Sequence, residues 1–150
     1  MCIRDRLLER SMKTLSVRFF RQQKNAVELA NYLSECDMID KIYYPGLPFH
    51  KGHDIAKDQM DGFGAVISFE LNKKIDPKIF LKSLEMINPS MSFAGVESTM
   101  LSPAETSHYL LTPEDRLAQG ITDNLIRFSV GIEDVPDVVY DFEQALNKCK

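Results

Sequence analysis

Strict alternation of apolar and polar residues predicts two half-buried β-strands in this chain. One covers 63–71, and the other covers 124–133, where Arg127 lies on the face opposite the main apolar side chains. A shorter β-prone run at 39–44 ends in a Pro-Gly turn signal and predicts a third strand. The stretch 92–99 predicts a short strand or an extended loop.

Apolar residues spaced by three, four and seven positions predict the helices. The predicted helical segments are, in chain order, 7–36, 54–60, 77–87, 113–118 and the segment that follows Asp134. Asp76 supplies an N-cap and Pro77 a first-turn proline for the third segment, and Asp134 can cap the last. Polar residues midway along the first segment predict a solvated face; they are Arg18, Arg21, Gln22, Lys24 and Asn25.

These strands and helices are intermixed along the chain. The glycine-rich turn that would open a dinucleotide-binding fold is missing, because Gly62 and Gly64 precede a strand instead of a helix. The sequence therefore predicts an α+β fold, a small and mainly antiparallel sheet with helices packed on one face.

Composition narrows the class of protein. The chain has 150 residues, 44% of them hydrophobic and 27% charged, which is typical of one globular domain. A formal net charge of -4 argues against a nucleic-acid surface. We expect a cytoplasmic protein without a membrane span. The three cysteines, Cys2, Cys36 and Cys149, match neither a disulfide framework nor a zinc ligand pair and are expected to be free thiols.

The histidines and serines predict no catalytic or metal centre. His50 and His53 are spaced as a ligand pair could be, but a zinc site needs further convergent ligands, and surface histidines explain the pattern as well. Ser107 and His108 are adjacent but lack the context of an activated nucleophile.

Anion binding is the chemistry that the remaining polar residues favour. An arginine among strand residues offers a planar fork of donors to a carboxylate, and Ser92 is a second group able to bind an anion. The alternative for Arg127 is an internal ion pair with an Asp or Glu side chain. From the residues alone, both interpretations stay open.

Several short motifs occur in the order in which one enzyme family carries them. They are Tyr44–Leu47 (YPGL), Gln59–Gly64 (QMDGFG), Ser92–Ser98 (SFAGVES), Thr106–His108 (TSH), Pro113–Arg116 (PEDR) and Leu125–Glu133 (LIRFSVGIE). From about Leu7 to its end, the chain resembles the C-terminal part of the Cys/Met-metabolism pyridoxal-phosphate enzymes. That family includes cystathionine γ-synthase, cystathionine β-lyase, cystathionine γ-lyase, methionine γ-lyase and related sulfhydrylases.

The resemblance implies a domain organisation. Segment 7–36 would link a large cofactor domain, absent here, to a small C-terminal α+β domain over 37–150, as in the aminotransferase-like fold type I. Residues 1–6 (MCIRDR) resemble translated sequencing adapter and are expected to be artefactual.

The resemblance also implies roles for individual residues. Arg127 would hold the α-carboxylate of a sulfur amino acid, Ser92 would assist, and Met91 and Phe93 would shape the substrate pocket. Ala94 replaces the first glycine of the family's Gly-Gly pair, which narrows backbone freedom.

The cofactor implied by the resemblance is pyridoxal 5'-phosphate, held by a Schiff-base lysine of the large domain. No matching lysine segment occurs in this chain, so we expect no cofactor-binding residue here and no activity of this chain alone. The full-length enzyme would form or cleave C–S bonds as a homotetramer built from dimers. Synthase and lyase chemistry are not distinguished. A different class of protein, a stand-alone non-catalytic α+β interaction module, is the alternative.

Overall fold

The computed structural model describes residues 3–149, which form six α-helices and five β-strands. The helices are α1 (Ile3–Met12), α2 (Leu15–Ser34), α3 (His53–Gln59), α4 (Pro77–Ser83), α5 (Pro113–Ala118) and α6 (Val135–Asn147). The strands are β1 (Ile39–Tyr43), β2 (Val66–Leu71), β3 (Asn88–Pro89), β4 (Thr99–Leu101) and β5 (Leu125–Ser129).

The strands form one sheet in the order β1-β2-β5-β4-β3. Every pairing is antiparallel except that of β3 with β4, so the predicted mainly antiparallel α+β fold is confirmed. The strand β5 is central, and Arg127 on it lies opposite Ser68 of β2 and Leu101 of β4.

The core lies between one face of this sheet and the helices α2, α4 and α6. Strand side chains at alternate positions, such as Phe69 and Phe128, join the same buried cluster as residues of these helices. Phe142 of α6 makes edge contacts with Phe69 and with Phe80 of α4, with ring centroids 5.7 and 5.1 Å apart. Burial of these aromatic and aliphatic side chains fixes which face of β5 points inward.

The single helix expected over 7–36 is interrupted at positions 13 and 14, between α1 and α2. Around this break, the side chains of Thr14 and Arg18 both donate to the backbone carbonyl of Ser11, at 3.4 and 3.0 Å. Such local bonds from side chains compete with the helical ladder. Apolar periodicity does not detect this break, because the spacing continues across it.

The helix expected over 77–87 ends four residues earlier, at Ser83. The reason is Asp141 of α6, whose carboxylate accepts the backbone N–H groups of Glu85, Met86 and Ile87 at 2.8, 3.0 and 2.8 Å. Burial raises the pKa of Asp141, but these bonds and one from Gln144 outweigh it and hold the pKa below its ordinary value. Asp141, which lies far away in sequence, therefore holds the backbone after α4 in a non-helical conformation.

For the remaining elements, the structure agrees with the predicted helix α5 and differs in how α6 begins and in the lengths of two strands. The predicted segment 113–118 coincides with α5, and its cap is Thr112, whose hydroxyl accepts the N–H of Asp115 at 3.2 Å. Asp134 occupies the N-cap position of α6, but its carboxylate pairs with Arg21 at 2.5 Å instead of capping the backbone. The strands β3 and β4 have two and three residues, too few for alternation to reveal them.

The described cysteines, Cys36 and Cys149, are free thiols, as predicted. Met1 and Cys2 lie outside the described residues, and residues 3–6 belong to α1. None of the helices within 3–149 has the length and apolar character needed to cross a membrane.

Candidate functional site

Arg127 lies at the centre of β5 on the side of the sheet away from the core. Its neighbours Ile126 and Phe128 are buried among the helices, whereas the guanidinium is only partly covered. This is the orientation that the alternation of β5 predicted. The cation is therefore fixed on a rigid strand while its donors reach the surface.

The loop 91–94 folds against this guanidinium. Arg127 Nη2 donates to the carbonyl oxygen of Met91 at 2.9 Å, and Arg127 Cζ lies 5.1 Å from the centroid of the Phe93 ring. Three of the four predicted site residues thus come together, and Ser92 lies between two of them in sequence. Its side chain is exposed, and its hydroxyl has no hydrogen-bond partner among residues 3–149.

An internal ion pair does not account for Arg127. Within the described part of the chain, the ion pairs of arginines involve Arg21 and Arg116, and no carboxylate lies within 4.0 Å of the Arg127 guanidinium. Its one hydrogen bond there is the bond from Nη2 to Met91. The N–H groups on Nε and Nη1 and the second N–H group on Nη2 remain for a ligand.

The loop is held in place by its own backbone. The Ser92 carbonyl accepts a bond from Thr99 Oγ1 at 2.8 Å, and the Ala94 N–H donates to Ser129 Oγ at 3.0 Å. Thr99 and Ser129 belong to the paired strands β4 and β5, on the same side of the sheet as Arg127. The sheet therefore positions both the arginine and the loop that covers it.

Ala94 has a φ of 61°, which is the left-handed region. A side chain costs free energy there, and glycine avoids that cost. Ala94 is thus a strained residue in the loop beside Arg127.

Replacing Ala94 with glycine is expected to stabilise the protein by about 0.5–1 kcal/mol, because relief of the left-handed strain exceeds the added unfolded-state entropy. Urea unfolding measures the effect. The matched control is Ala118→Gly in the exposed part of α5, which is expected to destabilise by a similar amount. A loss of stability in Ala94→Gly would contradict strain at this position.

A network of polar side chains joins the residues after this loop to α2 and to the segment that follows β5. Glu133 accepts bonds from the N–H and the hydroxyl of Ser98 at 2.6 and 2.9 Å, and Ser98 Oγ in turn accepts the N–H of Gly131 at 2.9 Å. From α2, Asn25 donates to the carbonyls of Gly131 and Glu133 at 3.1 and 2.7 Å, and Gln22 donates to the Gly95 carbonyl at 2.6 Å. The network ties both stretches of the site to one helix.

Two members of that network were assigned to a solvated face by the sequence, and this was wrong for Gln22 and Asn25. They are only 4% and 1% exposed. The signal that could have found them is their spacing, because Gln22, Asn25, Ala26 and Leu29 follow the i, i+3, i+4, i+7 pattern of a buried stripe. Polar residues at buried positions indicate specific hydrogen-bond partners.

The two histidines that are spaced as a ligand pair could be, His50 and His53, have hydrogen-bond partners within the fold. His53 Nδ1 lies 2.7 Å from the carbonyl oxygen of Pro45, and its ring stacks on Phe63 with centroids 5.4 Å apart. His50 Nδ1 accepts the N–H of Gly52 at 3.1 Å. No cluster of three or more potential metal ligands occurs among residues 3–149.

The chain is similar to proteins of known activity. L-methionine gamma-lyase of Fusobacterium nucleatum subsp. polymorphum is 44% identical over 140 residues, which cover 93% of this chain and 35% of that protein. The chloroplastic cystathionine gamma-synthase 1 of Arabidopsis thaliana is 45% identical, over 93% of this chain and 25% of that protein. This chain thus spans about a third or less of the length of these relatives.

Solved structures agree with the sequence relatives. This chain superposes on the structure of cystathionine gamma-lyase from Lactobacillus plantarum in complex with L-serine, with a TM-score of 0.91 and 40% sequence identity. The match covers 95% of this chain and 38% of the lyase chain. The family model for Cys/Met metabolism PLP-dependent enzymes matches residues 4–147. The chain belongs to the family of Cys/Met-metabolism enzymes that depend on pyridoxal phosphate.

Proposed function

We propose that this chain supplies the substrate-carboxylate site of a pyridoxal-phosphate-dependent trans-sulfuration enzyme. Its substrates are sulfur amino acids such as cystathionine, or homoserine esters, and the reaction forms or cleaves a C–S bond. Arg127 grips the α-carboxylate, and Ser92 donates a further hydrogen bond from the loop. Met91 and Phe93 flank the bound amino acid.

The single observation that carries the proposal is that the Arg127 guanidinium is held in place but has no carboxylate partner within residues 3–149. It is fixed by one bond to the Met91 carbonyl and by the Phe93 ring. Ser92 lies between Met91 and Phe93 in sequence, and its hydroxyl has no hydrogen-bond partner within residues 3–149 either. A carboxylate placed here can accept two parallel N–H bonds and one from a hydroxyl, which is the geometry that favours arginine over lysine.

The residues of this chain do not by themselves fit a cofactor site. A lysine that forms a Schiff base is typically activated by desolvation in an apolar pocket or by a neighbouring cation, and every lysine within residues 3–149 is exposed. When bound to the enzyme, pyridoxal phosphate supplies the electron sink for chemistry at the α-carbon. In this proposal other parts of the enzyme hold that group, and residues 3–149 alone are inactive.

The surface of α1 and of the first half of α2 supports a role within a larger protein. No residue of α1 is buried, and exposed apolar side chains run along both helices. From residue 7 onward, the most exposed are Leu7, Leu8, Met12, Leu15, Val17 and Phe20. Apolar patches of this kind are covered by other protein surface in functional assemblies. The small C-terminal domain position and a homotetramer built from dimers belong to this proposal.

Arg127→Ala in the enzyme that contains this chain is expected to raise KM for the amino acid roughly 30-fold, because about 2 kcal/mol of charge-assisted hydrogen bonding is lost. Steady-state kinetics measure it. Arg127→Lys keeps the charge but loses the fork, so its KM is expected to lie between those of the wild type and the alanine variant. Lys73→Ala, at an exposed cation away from the site, is the control. An unchanged KM in Arg127→Ala would refute the assignment.

A further inference from the structure

We propose that Phe93 is a positioning residue that acts through Arg127, holding the guanidinium so that its remaining N–H groups face the substrate carboxylate. This inference rests on the proposed function and deepens it. It adds a second role to the one expected for Phe93 from the sequence, which is to shape the substrate pocket.

The guanidinium needs a second support. Its one hydrogen bond among residues 3–149 joins Nη2 to the Met91 carbonyl, and a single bond leaves a long side chain free to rotate about that contact. The Phe93 ring, 5.1 Å from Cζ, attracts the cation through its negative face. Together the bond and the ring restrict the guanidinium before a ligand arrives, which lowers the entropic cost of binding.

The ring is itself placed by the backbone of the loop. The residue before it is anchored through its carbonyl to Thr99, and the residue after it through its N–H to Ser129. Ala94 adds the left-handed backbone that turns the chain at this point. The backbone on both sides of Phe93 is therefore bound to the sheet, on one side to β4 and on the other to β5. The strand β5 also carries Arg127.

The exposure of Phe93 separates this role from core packing. Its side chain is 62% exposed, whereas the core aromatics Phe69 and Phe128 are 0% and 1% exposed. Burial thus explains little of its placement, and a substitution here is expected to leave folding intact. What the ring contributes is its π face toward the cation, which leucine lacks and tyrosine retains.

The test is a double-mutant cycle in the pyridoxal-phosphate-loaded enzyme that contains this chain. Phe93→Leu is expected to raise KM for the amino acid roughly threefold, with kcat changed less than KM, whereas Phe93→Tyr retains the π face and is expected to raise KM less than Phe93→Leu does. In the Arg127→Ala background, Phe93→Leu is expected to add nothing, because the group it positions is gone. Calorimetry with a non-reactive substrate analogue measures the same ratios as dissociation constants.

Phe49→Leu is the matched control, since that ring is 67% exposed and lies outside the site. A threefold rise in Phe93→Leu that persists at full size in the Arg127→Ala background would overturn the inference, as would an unchanged KM in Phe93→Leu. Both results leave the proposed function standing if Arg127→Ala alone raises KM. If Arg127→Ala leaves KM unchanged, the proposed function fails and this inference fails with it. A shifted urea midpoint in Phe93→Leu would show packing instead of positioning.

Discussion

Replacing Gly131 with alanine is expected to lower the free energy of unfolding by about 4 kcal/mol. A β-carbon at this position would lie 2.5 Å from the backbone nitrogen of Ser98 and would also overlap the carbonyl oxygen of Val96 and the carboxylate of Glu133. Backbone atoms cannot move aside as a flexible side chain can, so the network that holds the loop 92–98 must break. Urea denaturation of the variant measures the loss.

The matched control for Gly131 is Gly52→Ala. There the nearest atoms to a new β-carbon belong to the His50 ring at 3.5 and 3.6 Å, an ordinary contact distance. We expect a change of about 1 kcal/mol or less for this control. If Gly131→Ala were as stable as Gly52→Ala, the close approach of the two backbone stretches would be contradicted. Activity of the enzyme carrying Gly131→Ala is expected to fall with stability, because Gly131 lies two residues beyond β5, the strand that carries Arg127.

Asp141→Asn is expected to cost about 3 kcal/mol of stability at neutral pH. The carboxylate accepts three backbone N–H groups, two of them on Oδ2 and one on Oδ1. An amide presents donors to part of this set and leaves buried N–H groups without an acceptor. The matched control is Asp137→Asn, which changes an exposed carboxylate in the first turn of the same helix. We expect this control to lower the free energy of unfolding by about 0.5 kcal/mol or less.

The pH dependence of this difference has a defined sign. Because the pKa of Asp141 is lowered in the folded state, its carboxylate stabilises the protein above the pKa of the unfolded chain, and the contribution is lost as the pH falls through the folded value. The stability gap between wild type and Asp141→Asn should therefore be full at pH 7 and should narrow below about pH 4. A gap that stays constant down to pH 2 would contradict a native carboxylate at this position.

The pattern of residues predicted the placement of Arg127 better than the contacts that support the loop beside it. Alternation alone placed Arg127 on the outer face of a strand, because a half-buried sheet leaves only two directions for a side chain. The motif order added Ser92, Met91 and Phe93, and the structure brings the loop that contains them to the guanidinium. Local periodicity and resemblance were sufficient to place these residues near one another, and their role in binding a substrate stays a prediction.

The supports depend on partners far apart in the chain. Glu133 binds Ser98 across 35 residues, and Asp141 binds Ile87 across 54 residues, so no local window contains both partners. The same limit explains why the helix α4 was predicted too long: its own sequence favours continuation, and the carboxylate that ends it belongs to α6. Buried polar partners decide such boundaries through tertiary contact.

Carboxylate recognition by Arg127 is tested most directly by comparing two ligands with two proteins. The ligands are the amino acid substrate and its decarboxylated amine, and the proteins are the wild-type enzyme that contains this chain and its Arg127→Ala variant. Calorimetric dissociation constants are expected to rise roughly 30-fold in the variant for the amino acid and to stay unchanged for the amine. An equal loss of affinity for both ligands, or no loss for the amino acid, would contradict a carboxylate site at Arg127.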